Sequence, residues 1–191
     1  VREYMSLYPY GCLEQKISKA VALRDKALWQ ERMRELPAYL DGEGLLKYFP
    51  RMRTGSDVLT SYVMAVAQEA GYEIPPVLRD RMSEGLAGFV EGRIRRASDL
   101  ATADLAIRKV AAVEALSRYG KARAALLSSV AVEPNLWPTS AVIDWIGVLK
   151  RTADIPDRAK KLAAAQQVLR SRLNLQGTAM GFSTERADGL W

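Results

Sequence analysis

The fold of this chain is decided by Tyr8-Pro9-Tyr10-Gly11-Cys12-Leu13-Glu14-Gln15. Cys12 is the single cysteine among 191 residues. It follows a stiff Tyr-Pro-Tyr-Gly turn and opens a long helical pattern. Gln15 comes three residues later, so thiol and carboxamide share one helix face. A thiolate that attacks that amide carbon expels ammonia and leaves an internal thioester. The ring so formed strains the chain locally, so Gly11 is expected to supply conformational freedom while Pro9 stiffens the approach. The partial positive charge of a helix N-terminus favours the reactive thiolate form. The plain alternative is an inert buried cysteine beside a solvated glutamine.

Outward from this stretch, residues 12–35 read as one helix. Ile17, Val21, Leu23, Leu28 and Met33 form its apolar face, alanines raise its propensity, and Pro37 ends it. Asp41-Gly42-Glu43-Gly44 reads only as a turn. Residues 45–49 are a short apolar run closed by Pro50 and Thr54-Gly55, which predicts an extended or hairpin segment near 41–55. Ser56 is a candidate N-cap for a helix running to Gly71. Ile74-Pro75-Pro76 stops one helix and starts the next, which carries Leu78, Met82, Leu86, Phe89 and Val90. Residues 98–102 connect, 105–119 form another helix ending at Gly120, and 122–130 a shorter one. Pro134 and Trp137-Pro138 break the chain. A helix with Val142, Trp145, Ile146 and Leu149 follows, Ile155-Pro156 ends it, and 162–173 completes the pair.

This pattern repeats. Ile74-Pro75 and Ile155-Pro156 each separate two amphipathic helices, and a third helix pair is expected between them. The unit is roughly forty residues of helix-turn-helix. Such pairs stack as an open solenoid or close into an α/α toroid, and the repeat itself does not choose between them. The fold class is all-α in either case. The stretch Met180-Gly181-Phe182-Ser183-Thr184 is similar to residues 46–50, which precede an earlier helix, so a further unit is expected at the C-terminal end. Residues 1–191 read as a single domain excised from a larger protein and truncated on its C-terminal side.

Composition narrows the function. Apolar residues make up 49 % of the chain, enough for a globular core. Lys and Arg total 28 against 22 acids, a net charge of +6. These cations are scattered and form no block interleaved with aromatics, so nucleic acid is not an expected partner. No stretch has the apolar length of a membrane span, so this segment is not expected to insert into a bilayer. Histidine is absent. That removes Cys-His and Ser-His-Asp chemistry from this chain and leaves only carboxylates beside one cysteine for a metal. No cofactor is expected. Asp99 and Asp104 near Thr102 read as a solvated helix start, and the tryptophans and tyrosines at helical spacing as core.

Pro9-Tyr10-Gly11-Cys12-Leu13-Glu14-Gln15 resembles the thioester signature of the α2-macroglobulin and complement-type proteins, in its bacterial form. Vertebrate members usually carry Gly where this chain has Leu13. Residues 55–63, Gly-Ser-Asp-Val-Leu-Thr-Ser-Tyr-Val, resemble the family's Thr-(Ser/Ala)-Tyr/Phe-Val helix start. Gly181-Phe182 with Thr184-Glu185-Arg186 resembles a stretch near the later half of the same domain. The resemblance implies an α/α toroid, here incomplete, with Cys12 and Gln15 as the thioester pair. It implies that Tyr8, Pro9, Tyr10, Gly11, Leu13 and Glu14 support the motif, Tyr8 and Tyr10 by packing over the ring or as ordinary core aromatics, and Glu14 by capping backbone amides or by facing solvent.

The resemblance also implies the wider function: a broad-range protease inhibitor of the bacterial periplasm. After bait cleavage elsewhere in the protein, the exposed thioester captures the attacking protease. Members that label hydroxyl groups use a histidine, so its absence points to lysine amines of the target protease. The event is single-turnover, a covalent trap rather than an enzyme. Other domains of the same chain would be its partners, and an inner-membrane anchor would lie in a part not present here. Two rivals stand beside this reading. One is an α/α toroid enzyme, which would need an acidic cluster at the toroid mouth. The other is a helical-repeat interaction scaffold in which Cys12 is structural.

Overall fold

The computed structural model describes residue 4 and residues 11–97 and 102–182. They fall into two compact units, Val1–Arg96 and Ala97–Trp191. Among the described residues the chain is mostly helical, as its periodicity requires.

In the first unit the expected single helix over 12–35 is two helices, α1 (Leu13–Leu23) and α2 (Lys26–Glu35). Arg24 takes a left-handed conformation, φ 54° and ψ 38°, and closes α1. Its N–H bonds to the Val21 carbonyl, and the Asp25 N–H reaches back to Ala20. This is a Schellman-type stop with arginine where glycine is usual. Asp25 then caps α2 by accepting from the Leu28 N–H at 2.9 Å. The apolar periodicity runs through this junction with no Gly or Pro to mark it. Beyond Glu35 the chain tightens into a 3-10 turn, Leu36–Tyr39, with Pro37 inside it.

Residues 41–55 do not form a hairpin. They form a loop held by two single β-bridges, Leu40 to Leu46 and Leu46 to Ser56. Asp41, expected to be part of a simple turn, is the centre of this loop. Its Oδ1 accepts from the N–H groups of Glu43 and Leu45, each at 2.9 Å. Its Oδ2 accepts from the Gly55 N–H and from Arg96, each at 2.7 Å. The guanidinium of Arg96 also donates to the Gly55 carbonyl, which closes the loop from outside. Gly55 is obligatory here, because a Cβ would fall inside the Leu45 carbonyl. Gly44, at φ +86°, meets the backbone of Arg81 and Gly85 in the same way.

Ser56 caps α3 (Asp57–Glu69) as expected, accepting from the Leu59 N–H. After Gly71, α4 (Pro76–Val90) starts on its prolines. Leu13, Ile17 and Ala20 are buried on one face of α1, which packs on α2 and α3. Trp29 stacks on Tyr72 with ring centroids 4.9 Å apart and donates to the Glu73 carbonyl.

The second unit holds α5 (Thr102–Arg118), α6 (Thr139–Arg151) and α7 (Arg158–Ser171), packed in sequence order. The short helix expected over 122–130 is a 3-10 segment, Ala124–Ser129, followed by another at Pro134–Leu136. The third helix pair is therefore not formed; α5 has 3-10 turns where its partner would be. The last helix ends at Ser171, and the chain turns back in an antiparallel hairpin, β1 (Leu173–Gln176) and β2 (Ala179–Phe182). Met180-Gly181-Phe182 thus lies in a strand, while 183–186 lie outside the described residues. Asp104 is not solvated. It is buried in the first turn of α5 and pairs with Arg108. Trp137 and Trp145 are core aromatics in T-shaped contact, as expected.

Between α5 and α6 lies a cluster of charges. Glu114 accepts from Arg118 through both oxygens, at 2.8 and 2.9 Å, and from Arg151 at 2.8 Å. Asp144 is half-buried beside it. Burial, and then the Glu114 charge, push its carboxyl up to about 6 against the pull of Arg118 and Arg151.

Asp41 and Asp144 predict opposite pH responses. Burial raises the Asp41 carboxyl, but the N–H groups of Gly55, Leu45 and Glu43 and the Arg96 charge outweigh it and hold it below the usual range. Its contribution is therefore complete above the unfolded value of 3.8 and is lost as pH falls below it. Asp41→Ala should cost about 3–5 kcal/mol near neutrality by leaving three N–H groups without their acceptor and Arg96 with Glu43 as its remaining ion-pair partner, read by denaturant unfolding. Asp144 has the reverse sign: the unfolded carboxyl ionises first, so stability declines as pH rises from 3.8 to about 6. Asp144→Asn should stabilise by about 1–3 kcal/mol at pH 7 and have no effect below pH 4. Melting temperatures of both variants across that range check the signs.

Candidate functional site

The site is the first turn of α1 and the loop that grips it. Cys12 is the N-cap, in an extended conformation at φ −71° and ψ 160°, rather than the first residue inside the helix. Its backbone N–H donates to Gln15 Oε1 at 3.3 Å. Cys12 and Gln15 form a reciprocal capping box, with the Gln15 backbone facing the Cys12 side chain. The carboxamide is thus folded back over the turn toward the cysteine rather than extended into solvent. Both residues are half-buried, and Cys12 is a free thiol. Glu14, between them, is exposed.

Three anchors hold this turn. The Leu13 N–H donates to the Tyr48 carbonyl at 3.0 Å, which ties the helix start to the Asp41-centred loop. Leu13 itself is fully buried beneath. Lys16 donates to Tyr39 at 3.0 Å and to Glu35 at 3.4 Å. The Tyr39 hydrogen bond, more than burial opposes it, raises the Lys16 ammonium above its ordinary value. One turn on, the Ser18 hydroxyl shares a 2.7 Å hydrogen bond with Tyr62 of α3. Gly11 is exposed, and nothing lies within 4 Å of where a Cβ on it would sit. Tyr8, Pro9 and Tyr10 lie outside the described residues.

Tyr48 is the residue that sequence reading missed. It was one letter in an apolar run, thirty-odd residues from Cys12, with no local spacing to betray it. Its phenol is half-buried, and burial above all pushes it above the ordinary phenol value. A separate groove of about 810 Å³ in this unit, lined by Trp29, Met33, Tyr72, Lys26 and Arg34 among others, does not include Cys12, Gln15 or Tyr48. Among the described residues no group of His, Cys, Asp and Glu could hold a metal ion, and no helix is long and apolar enough to cross a membrane.

No protein-family model and no curated protein sequence matches this chain. Solved structures do. The native α2-macroglobulin of Escherichia coli, seen by cryo-electron microscopy, superposes with a TM-score of 0.67 over 87 % of this chain and 12 % of its own, at 21 % identity. A crystal structure of the native E. coli protein from domain MG7 to its C-terminus gives 0.64, covering 87 % of this chain and 30 % of its own at 21 % identity. Salmonella α2-macroglobulin reacted with methylamine gives 0.62 at the same identity, again over 87 % of this chain and 12 % of its own. The chain therefore spans between about an eighth and a third of these neighbours. With its all-α units and its Cys12–Gln15 turn in place, the chain has the fold of a segment of the bacterial α2-macroglobulins.

Proposed function

We propose that this chain is the thioester domain of a bacterial α2-macroglobulin-like protease inhibitor, with residues 1–191 forming most of an α/α toroid. The observation that carries the reading is the Cys12–Gln15 capping box. It folds the carboxamide back over the turn that carries the thiol, at a helix start where the peptide dipoles favour a thiolate. Attack of Sγ on the Gln15 carboxamide carbon expels ammonia and closes the thioester. The likeness of fold to proteins called α2-macroglobulins supports the same reading. Tyr8, Pro9, Tyr10, Gly11, Leu13 and Glu14 support the motif around this pair.

The reaction is a single acyl transfer. A lysine amine of an attacking protease adds to the acyl carbon, the bond to Cys12 breaks, and Gln15 ends joined to the target. A thioester persists in water only while shielded, so exposure follows bait cleavage in other domains of the whole protein. The chain is consumed in the event and acts as a covalent trap, not an enzyme. The setting is periplasmic, with any inner-membrane anchor in another part of the protein.

Intact mass is the direct test. The native protein should be lighter than its sequence by one ammonia, and methylamine should add once and release one titratable thiol. Gln15→Glu keeps an oxygen to cap Cys12 but has no ammonia to lose; it should show its full sequence mass, ignore methylamine and form no covalent protease adduct. Cys12→Ala should abolish attachment equally at a stability cost of about 1 kcal/mol. Full sequence mass and a free thiol in the native full-length protein would defeat the proposal. With no histidine in this chain to relay the acyl group, amines should react and glycerol should not. Faster labelling by glycerol would exclude the lysine-directed reading.

A further inference from the structure

An acyl group poised for an amine is open to any amine that reaches it, and the nearest one in the sequence is the chain's own. Lys16 follows Gln15 directly, with their Cα atoms about 3.8 Å apart. We propose that Tyr39 and Glu35 lock the Lys16 amine away from the Cys12–Gln15 thioester, so that the acyl group is kept for an amine of the target. This inference rests on the thioester reading above and assigns the protection of that bond from self-capture to two residues outside the motif.

Proximity sets the threat. Lys16 lies in the same first turn of α1, where its backbone N–H bonds to the Cys12 carbonyl at 3.0 Å. A flexible four-carbon stem lets its nitrogen sweep the neighbouring side chains. A nucleophile held beside an acyl carbon acts at an effective concentration far above that of a free amine. The step balances without a co-reactant. The ammonium first gives a proton to water. The neutral nitrogen would then bond to the Gln15 acyl carbon, the carbon–sulfur bond would break with its pair on Sγ, and the proton shed by the nitrogen would convert thiolate to thiol. The product is a side-chain amide between Gln15 and Lys16, and such a chain can capture nothing.

Two fixed acceptors answer this threat. Lys16 Nζ donates to the Tyr39 hydroxyl at 3.0 Å and to Glu35 Oε2 at 3.4 Å. They lie 23 and 19 residues further on, so the packing of α2 and its following turn against α1 sets them, not the motif. Each is held independently of the lysine. Tyr39 is buried, and its carbonyl accepts from the Lys47 N–H at 2.7 Å. Both Glu35 oxygens accept from Arg32, at 2.9 and 2.8 Å. The lock acts on protonation as well as direction, because an ammonium has no free electron pair with which to attack. The Tyr39 hydrogen bond, against burial, and the Glu35 charge raise the Lys16 ammonium above its ordinary value, which thins the neutral amine further. Lys19, at the spacing that shares a helix face with Gln15, is the competing internal amine.

The experiment holds the full-length protein without added amine and follows intact mass and thiol titration. Hydrolysis exposes a thiol and adds one water; internal capture exposes a thiol at unchanged mass. In the double variant Tyr39→Phe with Glu35→Ala, thiol should appear about 10-fold or more faster than in the native protein, at unchanged mass, with methylamine uptake lost in step. Peptide mapping should find the amide between Gln15 and Lys16. Adding Lys16→Gln to that pair should abolish the ring and return thiol release toward the native rate, which a merely structural role for Tyr39 and Glu35 would not allow. If the native protein carries no thioester by mass, this inference and the reading beneath it both fall. If the native protein carries it and the double variant keeps it as long, gains water instead, or closes a ring on Lys19, this inference alone is overturned. If the double variant fails to fold or to form the bond, Glu35→Ala alone, a change at a half-exposed side chain, decides: it should close the same ring, and the absence of that ring overturns the proposal.

Discussion

The first unit depends on one carboxylate. Asp41 sits under the loop of residues 41–56 and takes up backbone N–H groups from both of its ends, Glu43 and Leu45 on one side and Gly55 on the other. A buried loop cannot satisfy its own backbone as a helix or a sheet does, and each unpaired N–H would cost on the order of 1–3 kcal/mol. Asp41 supplies the missing acceptors, and Arg96 keeps it charged. The loop then does three things at once. It presents the Tyr48 carbonyl to the start of α1, seats Ser56 as the cap of α3, and lays Gly44 against α4. The turn bearing Cys12 and Gln15 is thus held from below by a feature with no apolar periodicity.

That difference explains what could be read in advance. Ser56, Gly71, Pro75-Pro76 and Gly120 punctuate helices through local backbone chemistry, and each does so where the sequence indicated. The pairing of Cys12 with Gln15 is likewise a three-residue spacing and was visible from the letters. Arg24-Asp25 was not. A left-handed arginine breaks the helix for the sake of the two packing faces it separates, and its side chain carries no sign of that conformation. Residues 124–129 coil as a 3-10 segment rather than the expected helix. Asp41 and Tyr48 were invisible for a different reason: they have partners more than ten residues away, and the burial of Asp104 beside Arg108 exists only after folding.

Asp41 and Asp144 show how little residue type decides. Both are aspartates drawn out of water. Asp41 meets oriented N–H groups and a guanidinium, which replace its hydration and favour the charge. At Asp144 burial, and then the Glu114 charge, outweigh the pull of Arg118 and Arg151, and the charge is disfavoured. One acid fastens its unit when ionised and the other loosens its own, so falling pH first favours the second unit and only below 3.8 works against the first.

The Gln15 side chain is both the cap of its helix and, under the proposed chemistry, the group that becomes joined to the target. Its oxygen is the acceptor for the Cys12 N–H. Whatever bonds to that carboxyl carbon takes hold of the capping group, and a protein-sized adduct pulls on it with every tumbling motion. The captured state would then differ from the resting one in more than a covalent link: the first turn of α1 would fray, and the cap energy of about 1 kcal/mol would pass into local disorder around a newly freed thiol. The helix start would serve as a record of use, legible in amide-exchange rates at residues 12–16 long after the reaction has ended.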